Sequence, residues 1–262
     1  MTTTRLFLMA SRYLNLYRLV PTMRINASVL CALSVLFPTI THACDLPAWQ
    51  ARYNITKYGT TIARVDMSLH STRDNAQYRV HTTPSGFLAM ISSEEMTDTS
   101  DLKRAANNTW QLEKFSQLRV KDTHRNQQFS LQQTDNTFAA KGESEGKSFN
   151  IKVQPPVWDR SSAQLALTCD LLAEKKPRPA YDYTIIDNGN IVTYHFEFRS
   201  EEKIRIADKQ FNTLKFERSS GDRSTFFWLD PEQHFMLVRM EQHKKGSLHL
   251  RMNLDLPDSD LP

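Results

Sequence analysis

The stretch Ser247-Leu248-His249-Leu250-Arg251-Met252-Asn253-Leu254 places an apolar side chain at every second position. Because neighbouring side chains of a β-strand point to opposite faces, this alternation predicts a strand with one buried and one solvated face. The segments 62–69, 149–153 and 192–199 alternate in the same way. Strands buried on both faces, as in parallel sheets, would form unbroken apolar runs, and the sequence after residue 43 contains none. The sequence therefore predicts a mainly β fold with an antiparallel sheet.

Short polar segments between the predicted strands contain the residues of tight turns. Asp187-Asn188-Gly189-Asn190 contains the Asn-Gly pair that favours a two-residue hairpin, and Lys244-Lys245-Gly246 joins the last two predicted strands. No internal repeat or long linker divides the chain. We therefore expect a single mainly β domain over 44–262, with a frayed tail at 257–262.

Residues 159–176 break the alternation and predict one α-helix. Asp159 or Ser161 is suited to cap its N-terminus, and Pro177 ends it. The apolar residues within the segment recur at helical spacing, so one face of the helix is expected to pack on the apolar face of the sheet. This apolar face consists of Leu165, Leu167, Cys169, Leu171 and Leu172.

Composition and charge limit the classes of function. The chain has 262 residues, of which 40% are hydrophobic and 24% charged, and this excludes a collagen-like or disordered protein. The only charged residues before Cys44 are four arginines, and the 29 basic residues that remain equal the 29 acidic ones. The net charge of +4 therefore comes from the N-terminus alone. Since the rest of the chain carries no excess of positive charge, we expect no nucleic-acid partner.

The N-terminal residues 1–43 have the pattern of a secretory signal peptide. Arginines precede an uncharged run at 25–40, and Thr41-His42-Ala43 provides the small residues of a cleavage site after Ala43. Met23 offers an alternative start. An uncleaved anchor is the alternative interpretation, although the run is shorter than the roughly 20 apolar residues that span a bilayer. We expect a periplasmic protein whose mature chain, from Cys44, has no transmembrane span.

Two cysteines, Cys44 and Cys169, remain after that cleavage. In an oxidising compartment such a pair favours a disulfide. Two alternatives stay open: unpaired thiols with Cys169 buried as a small apolar side chain, and attachment of a lipid to Cys44. A lipid-attachment signal has an aliphatic residue three positions before the cysteine, where this chain has Thr41.

Three stretches carry a resemblance to a known family. They are Tyr53-Asn54-Ile55 with Tyr58-Gly59, Trp158-Asp159-Arg160-Ser161-Ser162-Ala163, and Phe227-Trp228-Leu229-Asp230-Pro231 with Leu237-Val238-Arg239. On these motifs the chain from Cys44 onward resembles the domain of unknown function 3108 family of secreted bacterial proteins over nearly its whole length. The resemblance implies a strongly curved antiparallel sheet, similar to the open barrels of periplasmic lipoprotein carriers, with helical cover on its inner face. It implies no established activity.

One segment matches a catalytic motif, Gly142-Glu143-Ser144-Glu145-Gly146. The nucleophile elbow of a hydrolase needs a strand before the serine and a helix after it. Here the alternating segment 149–153 follows, and the two flanking glutamates oppose a developing negative charge. We therefore interpret Ser144 as a hairpin residue, and a hydrolase that uses it is the third hypothesis for function.

Other chemical motifs are missing from the sequence. It contains no H-E-x-x-H, no C-x-x-C, no phosphate-binding loop and no dinucleotide fingerprint. The histidines of the predicted strands occupy solvated positions. We therefore expect no catalytic residue, no cofactor and no metal site, and so a protein that is not an enzyme.

The tryptophans Trp49, Trp110, Trp158 and Trp228 are the remaining candidates for a binding role. Aromatic side chains on a curved sheet are suited to an acyl chain or a peptide, but they also fill ordinary cores. The leading hypothesis is an exported protein that binds a lipid or another hydrophobic ligand, or an envelope protein, on its curved sheet. The alternative is a structural or assembly protein of the envelope with a filled core. The space beneath the predicted helix distinguishes the two.

Overall fold

The computed structural model describes residues 44–134, 137–174 and 176–256. The predicted signal peptide, its cleavage site after Ala43 and the predicted tail at 257–262 lie outside the described residues. All of the described residues lie in one compact unit.

Strands make up most of the described chain, and one sheet contains all of them. The strands are β1 Trp49–Lys57, β2 Thr60–Ser71, β3 Asn75–Pro84, β4 Met96–Arg104, β5 Trp110–Arg119, β6 Gln127–Thr134, β7 Thr137–Ser144, β8 Lys147–Val153, β9 Val157–Asp159, β10 Ala180–Asp187, β11 Asn190–Ile206, β12 Lys209–Ser220, β13 Arg223–Asp230, β14 Met236–Lys244 and β15 Ser247–Leu254. The helices are α1 Phe87–Ile91 and α2 Ala163–Ala173, and 3₁₀ turns occupy Thr123–Arg125 and Pro231–Gln233.

The strand order is β8-β7-β6-β5-β4-β3-β2-β1-β15-β14-β13-β12-β11-β10-β9. Each strand is antiparallel to its neighbours, except that β9 pairs in parallel with β10. The first and last strands, β1 and β15, lie side by side in the middle of the sheet. The sheet curls into a nearly closed barrel shape, so that β9 at one edge contacts β5. The predicted mainly β fold, a strongly curved antiparallel sheet with one longer helix, is confirmed.

The four alternating segments lie in strands, as predicted. In the last strand Met252 and Leu254 are buried, whereas Leu248, next to the β14–β15 turn, is exposed. The alternation thus continues to the end of the strand, but the burial that it predicts is lost at the rim of the sheet. The segments 62–69, 149–153, 192–199 and 247–254 lie in β2, β8, β11 and β15.

The β10–β11 turn has the predicted tight form. Asn188 and Gly189 have φ angles of 49° and 72°, in the left-handed region that this two-residue hairpin requires at both central positions. Asp187 pairs directly with Asn190, so the turn sets the register of the two strands. The Asn-Gly pair therefore specifies the turn between β10 and β11.

The helix is shorter than predicted. α2 covers Ala163–Ala173, whereas the sequence pattern predicts 159–176. Asp159 does not begin the helix but ends β9, and its carboxylate accepts hydrogen bonds from the backbone N–H groups of Ser161 and Ser162. These bonds hold a turn that precedes the helix. A strand of three residues is too short to show alternation. The sequence pattern therefore includes Asp159 and the polar residues that follow it in the predicted helix.

The second helix, α1, is not predicted by the sequence, because five residues are too few to show helical periodicity. It lies in the connection between β3 and β4 and contacts β2 and β3. Within the described part of the chain, no helix has the length and apolar character needed to cross a membrane.

Candidate binding cleft

The apolar face of the curled sheet surrounds a packed core, and α2 fills it. Leu165, Leu167 and Leu171 of the helix are buried, as are Phe115 and Phe216 of the surrounding strands. The space beneath the helix is therefore occupied by side chains, and the helix covers the inner face of the sheet as expected. A ligand would have to bind beside the helix, since the core beneath it is closed.

An open cleft of about 1040 Å³ lies beside the helix. It is bounded by β5, β6 and β7, by Pro155-Pro156 and by the C-terminal half of α2. Small-molecule sites in proteins have volumes of about 300–1,000 Å³. The cleft therefore has room for a ligand of ordinary size.

One wall of the cleft is apolar. Leu131 and Phe138, which belong to the adjacent strands β6 and β7, are only partly buried. Pro155 and Pro156 are exposed, and the ring of Trp158 lies behind them at the buried start of the turn that leads to α2. Apolar surface that the fold leaves open to water gains free energy when a ligand covers it. This wall therefore favours an apolar group.

The opposite wall carries a network of charged groups and phenols. Tyr183 and Asp170 line this wall, and the Tyr183 hydroxyl donates a hydrogen bond to the Asp170 carboxylate at 2.8 Å. Two neighbours that do not line the cleft form a second such bond, in which the Tyr181 hydroxyl donates to Glu174 at 2.7 Å. The Arg178 guanidinium bridges the two carboxylates, at 3.1 Å from Asp170 and 2.8 Å from Glu174. It also stacks on the Tyr181 ring, 4.3 Å from its centroid. The charges of this wall are therefore largely matched within the protein.

Burial decides the protonation of these groups. It raises the pKa of the Tyr181 phenol to about 12, and the neighbouring Glu174 carboxylate adds to this shift. It also raises the pKa of the Tyr183 phenol, which lies beside the Asp170 carboxylate, and that of Asp170 itself. Both phenols stay protonated at neutral pH and act as hydrogen-bond donors. These tyrosines therefore do not serve as bases, and Asp170, Arg178 and Tyr183 form the polar side of the cleft.

The predicted disulfide is present and forms part of the cleft. Cys44 and Cys169 are bonded, and both line the cavity. The indole N–H of Trp110 donates a hydrogen bond to the Cys44 carbonyl at 2.9 Å, and the Arg104 guanidinium stacks on the Trp110 ring at 4.4 Å. The segment before β1 is thus fixed to β5 and to α2 at the cleft.

Ser144 lies far from the cleft, at the other end of β7. It is the last residue of that strand, Glu145 and Gly146 form a turn with φ angles of 51° and 71°, and β8 begins at Lys147. Its hydroxyl is buried and has no hydrogen-bond partner among the described residues. A hairpin therefore occupies the place where a nucleophile elbow would have a helix.

The histidines of the polar faces pair with single carboxylates. The ring of His195 lies 2.7 Å from Asp182, and that of His243 lies 3.0 Å from Glu241. In residues 44–134, 137–174 and 176–256, no group of three or more His, Cys, Asp or Glu side chains is arranged to hold a metal ion.

A buried polar cluster where β4 meets the turn before α2 escaped the sequence analysis. The Asp98 carboxylate accepts hydrogen bonds from the Gln117 amide at 2.7 Å and from the Ser161 hydroxyl at 2.5 Å, and the Arg160 guanidinium lies 3.7 Å away. Asp159, which precedes Arg160 in the sequence, is fully buried. Burial raises the pKa of both Asp98 and Asp159.

The only sequence signal for this cluster is the Trp158–Ala163 stretch that carries the family resemblance. The inner positions of β4 are Asp98, Ser100 and Leu102, so this strand has no apolar alternation to reveal its buried face. The cluster fixes the turn before α2 and does not border the cleft.

Comparison with known proteins gives a family and a fold. A family model described as "Protein of unknown function (DUF3108)" matches residues 51–255. A solved structure of a β-barrel-like protein of domain of unknown function DUF1849 from Brucella abortus has a TM-score of 0.53 at 12% identity, covering 82% of this chain and 100% of that one. A protein with a YmcC-like fold from Bacteroides fragilis aligns with a TM-score of 0.28 at 10% identity, over 78% of this chain and 92% of that one. No curated protein matches the chain.

Proposed function

We propose, from the premise that the chain belongs to the DUF3108 family of proteins of unknown function, that it is an exported bacterial protein that binds a hydrophobic ligand in the cleft beside α2. Its role would be binding and not catalysis. The sequence analysis expects the ligand on the curved sheet. The structure instead leaves space for it beside α2, at the open edge of the core.

The observation that carries this proposal is the unfilled apolar wall of the cleft. The core beneath α2 is packed, yet Leu131, Phe138 and Pro155-Pro156 remain in contact with solvent around a volume of about 1040 Å³. A packed protein has no structural need for such a cavity. The hydrogen-bonding wall opposite, with Asp170 and Tyr183, is suited to the polar end of an amphipathic ligand.

The proposal places the mature protein in the periplasm. Support comes from the pattern of residues 1–43, with cleavage after Ala43, and from the disulfide between Cys44 and Cys169. Disulfides persist in oxidising compartments such as the periplasm. A single domain over 44–262 would then be the mature protein.

A non-enzymatic role is supported by the position of the one serine in a catalytic motif. Ser144 is buried in a hairpin, and its flanking residues Glu143 and Glu145 are acidic. A nucleophile needs access to its substrate and a base within hydrogen-bond reach. Neither property is offered by this hairpin.

The second candidate is a structural or assembly protein of the envelope that takes no small ligand. The observation that favours it is the core itself, because α2 fills the concave face with Leu165, Leu167 and Leu171. In that case a segment of another envelope protein would bind in the cleft.

Native mass spectrometry of gently purified protein, followed by titration with the fluorescent fatty acid cis-parinaric acid, tests the proposal. We expect a copurifying lipid-like mass and a rise in parinarate fluorescence on binding. Phe138→Arg places a charge on the apolar wall and should weaken parinarate binding by about tenfold or more, since a buried aromatic contact is worth about 1.5–3 kcal/mol.

Phe226→Arg is the matched control, because Phe226 is a partly buried aromatic residue that packs near Lys215 and His243 and does not line the cleft. Its parinarate affinity should equal that of the wild type. Repeatedly clean apo protein with no parinarate binding would overturn the proposal in favour of the assembly role.

A further inference from the structure

Large apolar side chains are exposed at one end of the sheet, and six of them lie on or beside three neighbouring connections, β1–β2, β3–β4 and β5–β6. The cleft lies at the Trp110 end of β5, and these side chains lie at and beyond its Arg119 end. Their exposed fractions are 90% for Tyr58, 82% for Met90, 67% for Phe87, 64% for Ile91, 63% for Val120 and 53% for Leu118. We call this set the apolar rim. Contiguous exposed apolar surface on a folded protein marks a site of interaction.

Three neighbouring connections of the sheet bring the rim together. Tyr58 forms the β1–β2 turn, α1 lies in the β3–β4 connection, and Val120 follows β5. The Ser85 N–H donates a hydrogen bond to the Ile62 carbonyl at 2.9 Å, which holds the start of the α1 connection against β2. The Val120 N–H donates one to the Glu95 carbonyl at 3.0 Å, which holds the end of that connection against β5. The rim is therefore a fixed surface.

The fold does not account for the composition of α1. Its residues are Phe87-Leu88-Ala89-Met90-Ile91, and none of them is buried. A helix of five residues is too short to be stable on its own, and here it gains no stability from core packing. Apolar side chains at these positions therefore indicate contact with something outside the chain.

Positive charge surrounds the rim. The ammonium group of Lys57 lies 5.5 Å from the centroid of the Tyr58 ring. Lys121 follows Val120 directly, and Lys244 and Lys245 form the neighbouring β14–β15 turn, next to the β1–β2 turn because β15 pairs with β1. Among the described residues, no carboxylate lies within 4 Å of these four ammonium groups.

Two acidic groups near the rim, Glu94 and Asp122, lie beside arginines, whereas Glu95 lies beside a histidine, which carries charge only when it is protonated. Glu94 lies 3.9 Å from Arg119, and Glu95 lies 3.8 Å from His81. Asp122 lies 2.8 Å from His124 and 3.3 Å from Arg125. The lysines at the rim are consequently not neutralised by them, and the surface presents apolar side chains within a ring of excess positive charge.

We propose that the apolar rim docks on the surface of an anionic lipid membrane. In the docked state α1, Tyr58 and Val120 insert their side chains into the interfacial region, and the four lysines lie at the level of the lipid head groups. Aromatic and basic residues are enriched at that depth, and binding combines buried apolar area with attraction to anionic lipid. The proposal does not depend on the ligand cleft, which faces away from the docked end.

A membrane fits this surface better than a protein partner does. The rim consists of separate turns and one short helix at the end of the sheet. Lysines are depleted in protein interfaces, whereas they are favoured next to anionic lipid. We therefore take the lipid surface as the occupant.

Sedimentation with vesicles of equal parts phosphatidylcholine and phosphatidylglycerol tests the proposal. Full-length wild type and variants are compared, so that any contribution of residues 1–43 is common to all. The triple variant Phe87→Ser, Met90→Ser, Ile91→Ser should bind at least about tenfold more weakly, because three apolar insertions are lost. Ala207→Ser is the control, since Ala207 is an exposed apolar residue in the β11–β12 turn, at the opposite end of the sheet from the rim. It should bind as the wild type does.

A site-specific measurement separates docking of the rim from binding through the leader. In Phe87→Trp, the fluorescence of the added tryptophan should be quenched by brominated acyl chains in the same vesicles. In Ala207→Trp, where the added tryptophan lies at the opposite end of the sheet, it should not. Quenching in Phe87→Trp confirms the proposal. Its absence, or equal vesicle binding by the triple variant, overturns it, and a wild-type dimer that the triple variant cannot form would assign the rim to a second copy of the chain.

Discussion

The side chains that position α2 include two buried aspartates with different surroundings. Asp159 accepts hydrogen bonds from two backbone N–H groups and from the Ser162 hydroxyl at 2.6 Å, all within its own turn. Asp98 instead accepts its bonds from β5 and from the turn, through Gln117 and Ser161. A carboxylate in a closed core is stable only when such donors surround it. Asp159 therefore shapes the turn, and Asp98 attaches it to the sheet.

The pH dependence of stability should show the burial of Asp98. Burial raises its pKa above the ordinary value of 3.8, and the Arg160 charge opposes this shift only in part. The folded state thus binds the proton more tightly than the unfolded state, so that this group stabilises the fold most at low pH and loses that contribution as pH rises through the folded pKa. Asp98→Asn does not titrate at this position. The free energy of unfolding of the wild type, from urea denaturation, should fall relative to that of Asp98→Asn as the pH rises above the ordinary carboxyl pKa of about 4.

If the free energy of unfolding of the wild type rises relative to that of the variant as the pH is increased, Arg160 and the hydrogen bonds outweigh burial in setting the pKa of Asp98.

Single residues were the least predictable part of the molecule. The disulfide between Cys44 and Cys169 could be predicted, because the pattern of residues 1–43 predicts export and leaves two cysteines with one possible pairing. Asp98 could not, because a buried polar residue looks like a surface residue in a strand pattern, and its partner Ser161 is distant in sequence. Only the fold brings the two side chains to 2.5 Å.

At the scale of elements, α2 covers the apolar face of the sheet. A helix of 11 residues is marginal by itself, so its stability comes from the burial of Leu165, Leu167 and Leu171. The turn that precedes α2 fixes its N-terminus, and the disulfide at Cys169 fixes the helix about two helical turns further along. Packing, and not helix propensity, therefore sets its stability.

Leu165→Asp should destabilise the protein strongly, since it places a carboxylate where a fully buried side chain packs in the core. We expect a loss of roughly 3–5 kcal/mol in the free energy of unfolding, measured by urea denaturation.

Gln164→Asp is the control on the preceding residue, which is only partly buried. It should change stability by less than about 0.5 kcal/mol. Equal effects of the two substitutions would mean that α2 does not depend on its packing.

Elements with a clear period were predicted, and short ones were not. The alternation in 62–69 and 247–254 identified β2 and β15, because one face of each strand is buried and the other solvated. β9 and α1 have three and five residues, fewer than either period needs. The assignment of Asp159 to the helix failed for the same reason, since β9 left no pattern before it.

The whole molecule depends on contacts between distant parts of the chain. β1 pairs with β15, and the Tyr53 hydroxyl of β1 donates a hydrogen bond to the Leu237 carbonyl at 2.8 Å. The disulfide adds a covalent link across 125 residues of sequence, from the segment before β1 to α2. The cleft lies where this link, β5 and α2 meet.

Removal of the disulfide in Cys44→Ser, Cys169→Ser should lower the free energy of unfolding by about 5 kcal/mol, because a loop of this length gains conformational entropy in the unfolded state. The thermal midpoint of the double variant and of the wild type, with and without reductant, measures the effect. Reductant should lower the midpoint of the wild type alone. An unchanged midpoint in the double variant would show that the link is dispensable for stability.

The cleft itself was beyond sequence analysis. Its apolar wall combines Phe138 of β7 with Pro155 and Trp158, and its polar wall comes from α2 and β10. These segments are distant in sequence, and only the curvature of the sheet brings them to opposite sides of an open cleft. The sequence could predict the strands and the helix, but it could not show that the core beneath α2 is filled while the space beside it is not.

The pairing of β1 with β15 also determines when the protein can fold. During synthesis, one edge of β1 has no partner until the ribosome has released the C-terminal strand, and pairings of high sequence separation form slowly. The link between the two halves of the sheet can therefore form only after the last strand has been synthesised. Such a delay would suit the export that we propose from the pattern of residues 1–43, because a translocated chain crosses the membrane before it folds.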